Sequence, residues 1–159
     1  MRTLWLAWLL LAPAAPGQGH ACGLVTAEEA AAVVGPVDSP MAVGNAGCSY
    51  ANRARGVRLI VTVMDLGEMA RQTWDGLRNR SADASWLVGG EAGMGAAAYS
   101  EVVRRGAYSA TGRCGFVAVK GGKVVHLFVS DSAGKADVAG RREMLERLRP
   151  VARTIVERM

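Results

Sequence analysis

Few side chains in this sequence are equipped for chemistry, and its three cysteines stand first among them. Cys22 lies in "QGHACGLVTAEEAAAVVGP", residues 18–36, where an apolar leader gives way to the punctuation of a folded domain. A cysteine there can carry a lipid, close a disulfide or stay a free thiol, and each fate implies a different compartment or attachment. A lipid-modified cysteine needs an aliphatic residue three positions earlier and small residues between. Gly19, His20 and Ala21 fill those places, only Ala21 suits, and the apolar run stops at Ala12, well short of Cys22. Lipidation is therefore disfavoured. Cys48 and Cys114 complete an odd set, so counting cannot say which thiol is left over.

The other reactive groups are sparser still. His20 leaves with the leader or sits in a loose tail, which makes His126 the histidine available to the mature domain. No acid or cysteine is near it in sequence, and a metal or catalytic site needs several converging groups. His126 thus reads as a packed, hydrogen-bonded residue. Gly90, Gly93 and Gly95 suggest a phosphate loop, but their order is G-x-x-G-x-G, no helix follows, and the required lysine and hydroxyl are missing. There is no G-x-S-x-G, H-E-x-x-H, C-x-x-C or C-x-x-C-H pattern. General acid–base chemistry would have to rest on carboxylates, which occur singly on helix faces. No catalytic residue, cofactor or metal is implied.

The leader and the charge set the context. "MRTLWLAWLLLAP" starts positive at Arg2 and runs apolar from Leu4 to Ala12. A membrane-spanning helix needs about 20 such residues, so this run is too short. Its length and flanks are those of a secretory signal peptide, with small residues suited to cleavage ending at Ala14 and Ala21. Residues 1–21 therefore read as signal peptide and residues 22–159 as a single domain. No later run is long enough to span a bilayer as a helix. The 19 basic residues exceed the 14 acidic ones, but they are scattered singly or in pairs. A nucleic-acid binder would show a denser basic stripe with interleaved aromatics. The excess fits solubility, or weak attraction to anionic envelope polymers.

The elements that must position these residues are short. Thr26 and Glu29 make a capping box for a helix ending near Val34, stopped by Gly35 and Pro36. Residues 48–52 and 57–64 read as strands around the turn "RARG", with Val57, Leu59, Val61 and Val63 on one face. Asp65 and Glu68 read as a second capping box, opening a helix whose inner stripe is Leu66, Met69, Ala70, Thr73, Trp74 and Leu77. From Trp86 the glycine-rich run reads as a loop into a strand over 96–103. "CGFVAVKGGKVVHLFVS" is a hairpin turning at Gly121-Gly122, which pairs Val117 with His126 and Phe116 with Leu127. One face of it is wholly apolar, from Cys114 to Val129, and the other carries Val117, Val119, Val124, His126 and Phe128. Residues 135–159 form a helix, with Pro150 expected to kink or restart it. The sum is an α+β fold, an antiparallel sheet of about five strands with helices on one face, sandwich-like.

Taken in order, "CGLVTAEEAAAVVGPV", "GCSYAN", "VGGEAGMGAAAY", "VAVKGGKVVHLFV" and the arginine-flanked last helix resemble a known pattern. The chain resembles small exported bacterial proteins and lipoproteins of the domain-of-unknown-function 3558 kind. It is also similar to the extracellular sensor domains of mycobacterial serine/threonine kinases. The resemblance implies an exported binding or accessory module, periplasmic or secreted, with no catalytic residues to carry over. It implies one further bond. In those proteins one cysteine opens the domain and another opens the first strand, which assigns Cys22 and Cys48 to a disulfide and leaves Cys114 buried. The rival scheme lipidates Cys22 and joins Cys48 to Cys114. The partner would be an envelope protein, a polymer or a small ligand. An enzyme or metal site near His126 is the alternative, and a pocket of converging polar groups there would reverse the preference for a binding module.

Overall fold

The structure is a computed structural model that describes residues 20–94, 97–103, 112–131 and 137–159. The leader expected over 1–21 lies outside these residues except at its last two positions. Among the described residues a seven-stranded antiparallel sheet is flanked by three α-helices, in the sheet order β1-β2-β3-β7-β6-β5-β4. The strands are β1 (Met41–Val43), β2 (Gly47–Asn52), β3 (Val57–Asp65), β4 (Ser85–Gly90), β5 (Ala97–Val103), β6 (Arg113–Lys120) and β7 (Lys123–Asp131). The helices are α1 (Ala27–Val34), α2 (Ala70–Ala84) and α3 (Val138–Arg158). The α+β class agrees with the sequence reading. Among these residues, no helix is long and apolar enough to cross a membrane.

The central hairpin has the expected register, with Val117 opposite His126, Phe116 opposite Leu127 and Lys120 opposite Lys123. Gly121 and Gly122 take φ values of +56° and +78°, the left-handed backbone that a two-residue turn requires. Alternation then sends Phe116, Ala118, Val125 and Leu127 to one side, where they pack with Leu59 and Val61 beneath α1 and α3. Val117 and Val124 go to the other side and join Tyr99 and Trp74.

Several features differ from the sequence reading. The sheet has seven strands among the described residues rather than five. β1 is a three-residue edge with all residues exposed, so no alternation announces it. β4 occupies the first part of the glycine-rich run, where an edge position tolerates Gly89 and Gly90 because little has to pack on them. Helices also cover both faces, not one: α1 and α3 lie on the first and α2 on the second, since Val117, Val124 and Tyr99 demand cover there too. The Asp65–Glu68 capping box does not form. Gly67, at φ +53°, starts a short 3-10 turn over Gly67–Met69, and Met69 at the head of α2 is 64 % exposed. Pro150 lies within one continuous α3.

The amino-terminal segment is fastened at several points. Thr26 and Glu29 form the expected box around α1. Cys22 and Cys48 are joined by a disulfide with their α-carbons 5.0 Å apart. The Tyr50 hydroxyl donates to the carbonyls of Cys22 and Val25, and Arg158 from the end of α3 donates to Leu24 O at 2.6 Å and to the Glu29 carboxylate. Cys114 is a free thiol in the core, and burial pushes it up to about 12, so it stays protonated and unreactive. Non-reducing peptide mapping is expected to return a Cys22–Cys48 linked peptide, with Cys114 alkylated only after unfolding. Reduction should lower the unfolding free energy by about 3 kcal/mol. A mapped Cys48–Cys114 bond would contradict the pairing.

Candidate functional site

The face under α2 is where polar groups converge. On β5, Tyr99 and Glu101 point towards α2, as do Arg113, Gly115 and Val117 on β6 and His126 and Phe128 on β7. The register sets Glu101, Gly115 and Phe128 side by side in one row, with Tyr99, Val117 and His126 in the next. Glu101 and His126 start two strands apart, roughly 10 Å at ordinary strand spacing. They meet because the residue between them is glycine. A Cβ at Gly115 would come within 2.6 Å of Phe128 Cβ, so no side chain fits there and the carboxylate reaches across. From above, the helical spacing that buries Trp74 carries Leu77 and Ser81 over the same spot, with Arg80 at the rim.

The result is a cavity of about 310 Å³ lined by Leu77, Arg80, Ser81, Tyr99, Glu101, Arg113 and His126. Glu101 has a fully buried side chain. Its Oε1 accepts from His126 Nε2 at 3.2 Å and from an Arg113 guanidinium nitrogen at 3.2 Å. Its Oε2 accepts from the Ser81 hydroxyl. Ser81 Oγ also lies 3.3 Å from the Tyr99 hydroxyl. Since the one serine proton goes to the carboxylate, Tyr99 is the donor in that pair. The His126 ring stands 4.8 Å from the Phe128 ring, and the Arg113 guanidinium lies 5.2 Å over Phe128.

Burial is the largest influence on Glu101 and pushes its carboxyl up. It is outweighed by the His126 hydrogen bond and charge, the Ser81 hydroxyl and the Arg113 charge, which together hold the carboxyl below its ordinary value. Glu101 is therefore an anion at neutral pH and a poor proton acceptor.

That bonding order decides what the cluster can do. A nucleophilic serine must share its proton with an imidazole that a carboxylate orients. Here the carboxylate sits between serine and histidine, so His126 does not activate Ser81. Among the described residues that line the cavity Glu101 is the one carboxylate, and Arg113 already lies against it. A pocket of converging polar groups, the feature that would reverse the preference for a binding module, is present around His126, and within it the Glu101 carboxylate bonds both the serine and the histidine.

Sequence reasoning singled out His126 and missed its partners, because Glu101 lies 25 residues away and reaches it only through strand register. Cys22 and Cys48 are on the opposite face of the sheet and take no part in the cavity. Gly90 ends β4 and Gly93 sits in the following turn, while Gly95 lies outside the described residues. Compared with known proteins, the chain matches no family model, no curated protein and no solved structure.

Replacing Glu101 with glutamine leaves Arg113 beside a neutral amide and should cost about 3 kcal/mol at pH 7. Because the folded carboxyl lies below its unfolded value, its contribution is complete above the unfolded range near about 4.3 and is lost as pH falls through the folded value. Urea unfolding of the parent and Glu101→Gln is therefore expected to show a gap that is constant near neutral pH and narrows in acid. A gap that widens in acid would contradict the assignment.

Proposed function

We propose that this chain is an exported, non-catalytic binding module, periplasmic or secreted, whose ligand occupies the cavity at Glu101, Arg113 and His126. One observation carries the reading: side chains from α2, β5, β6 and β7 converge on a cavity in which the buried carboxylate is already satisfied and the donors around it are held in place. Small-ligand sites are concave, and their few polar groups are fixed before the ligand arrives. The positive start and apolar run of the leader support export, as does the resemblance to exported bacterial proteins. A Cys22–Cys48 disulfide is compatible with an oxidising compartment. A sulfur held in a disulfide cannot also carry a thioether lipid, which favours release over anchoring. Ala21 is fully buried in the core, which favours cleavage after Ala14 over cleavage after Ala21.

Native mass spectrometry of protein recovered outside the cytoplasm of an expressing bacterium tests the whole reading. The expected mass is that of residues 15–159 with one disulfide and no lipid, accompanied by a small adduct that denaturation releases. The adduct should disappear in a folded His126→Asn variant. A diacylglyceryl group on Cys22, or an adduct that the variant keeps, would contradict the proposal.

A further inference from the structure

Resting on the reading of this cavity as a ligand site, we propose that the ligand is a small organic anion held through an oxyanion, a carboxylate or a phosphate. Among the described residues, the polar groups around Glu101 are already bonded to one another. Glu101 is the only acid among the described residues that line the cavity, and three neighbours already use it. Tyr99 gives its proton to Ser81, and Ser81 gives its own to Glu101. Among these described residues no carboxylate is left to receive an ammonium group or a metal ion. The lining instead presents donors.

Charge points the same way. Arg80 is exposed at the rim, and no ion pair or hydrogen bond among the described residues engages its side chain. Strand pairing places Arg58, Ser130 and Arg113 in one row on the same face. Arg58 therefore sits about 10 Å from Arg113, at two strand spacings. It too is exposed and without an ion pair among the described residues. Arg58 and Ser130 line a separate hollow of about 400 Å³, which also includes Arg53, paired with Asp38. Two guanidinium groups, Arg80 and Arg113, thus line the cavity of one buried, satisfied carboxylate, and Arg58 adds a third positive charge on the same face of the sheet. Guanidinium forks match carboxylate and phosphate geometry, and a charge-assisted bond of this kind is about twice as strong as a neutral one. Leu77 and the Tyr99 ring give the cavity an apolar wall, so the oxyanion should come attached to a small organic body rather than alone.

Titration of isotope-labelled protein tests this, with succinate and inorganic phosphate as probes, glucose as a neutral control, spermidine as a cationic one, and chloride holding ionic strength constant. Succinate or phosphate should produce saturable shifts in the Ser81, Arg113 and His126 signals, and the stronger of the two identifies the oxyanion. Arg80→Ala and Arg80→Gln, at an exposed position that should not disturb folding, are each expected to weaken that binding about tenfold, with Arg80→Lys recovering part of it. Saturation by glucose or spermidine but not by either anion would overturn the ligand class and leave the cavity a ligand site. A neutral or cationic compound released as the native adduct would do the same. Anion binding that Arg80→Ala leaves unchanged would also overturn the proposal.

Discussion

Lys120 and Lys123 face each other across Gly121 and Gly122, and the pairing that this turn imposes on β6 and β7 runs through the whole molecule. Strand side chains alternate between faces, so a slip of one residue would exchange every contact made by the hairpin. In the observed register Phe116 and Leu127 enter the core under α1 and α3, while Val117 and Val124 meet Trp74 of α2. The same turn seats the second helix. Gly122 O accepts from Leu66 N at 2.9 Å just before α2, and a Cβ at Gly122 would approach Gly67 Cα to 3.2 Å. One two-residue turn therefore sets both layers and the lead-in to the helix that roofs the cavity.

The cavity inherits its geometry from that register. His126 stands beside Val117, and Gly115 stands beside Glu101, which leaves an open lane between the carboxylate and the imidazole. An anion with no exposed surface is costly to bury unless its lone pairs are filled. Ser81, His126 and Arg113 fill them, each from a different element. The α1/α3 core needs no such arrangement, since it is held by apolar area, the Cys22–Cys48 bond and the Arg158 clamp on the amino-terminal segment. A charged cluster set apart from the principal core, and open to solvent through a cavity, is what the proposed binding function would require of this fold.

How much of this could be read in advance differs by element. The hairpin, its two faces and its pairs were legible because alternation and a Gly-Gly turn are local signals. The α1 box was legible for the same reason. β1 and β4 were not, because a fully exposed three-residue edge has no pattern and glycines in an edge strand look like a loop. The second covered face has no local signal, because Val117 and Val124 are buried under α2, which is remote in sequence. Met69 fits the apolar spacing of α2, but the 3-10 turn at Gly67 rotates it into solvent. Glu101 sits inside "AAYSEVV" with no marker of its role; its meaning comes from β6 lying between it and His126. Arg141 is buried inside the first turns of α3, where sequence alone places a solvated cation, and it passes over Gly112 because a side chain there would collide with its guanidinium.

On the proposed reading the Glu101 cluster serves a ligand and is not needed for the fold. Denaturant unfolding of the combined Glu101→Leu, Arg113→Met, His126→Leu variant tests it most directly, since replacing a whole buried ionic group by apolar side chains of similar size separates the two roles. Buried ion pairs replaced in this way are commonly neutral or stabilising. The account predicts a cooperative transition with an unfolding free energy within about 1 kcal/mol of the parent, or above it. A loss of more than about 3 kcal/mol, or no cooperative transition, would show that the cluster holds the fold together and would contradict the claim.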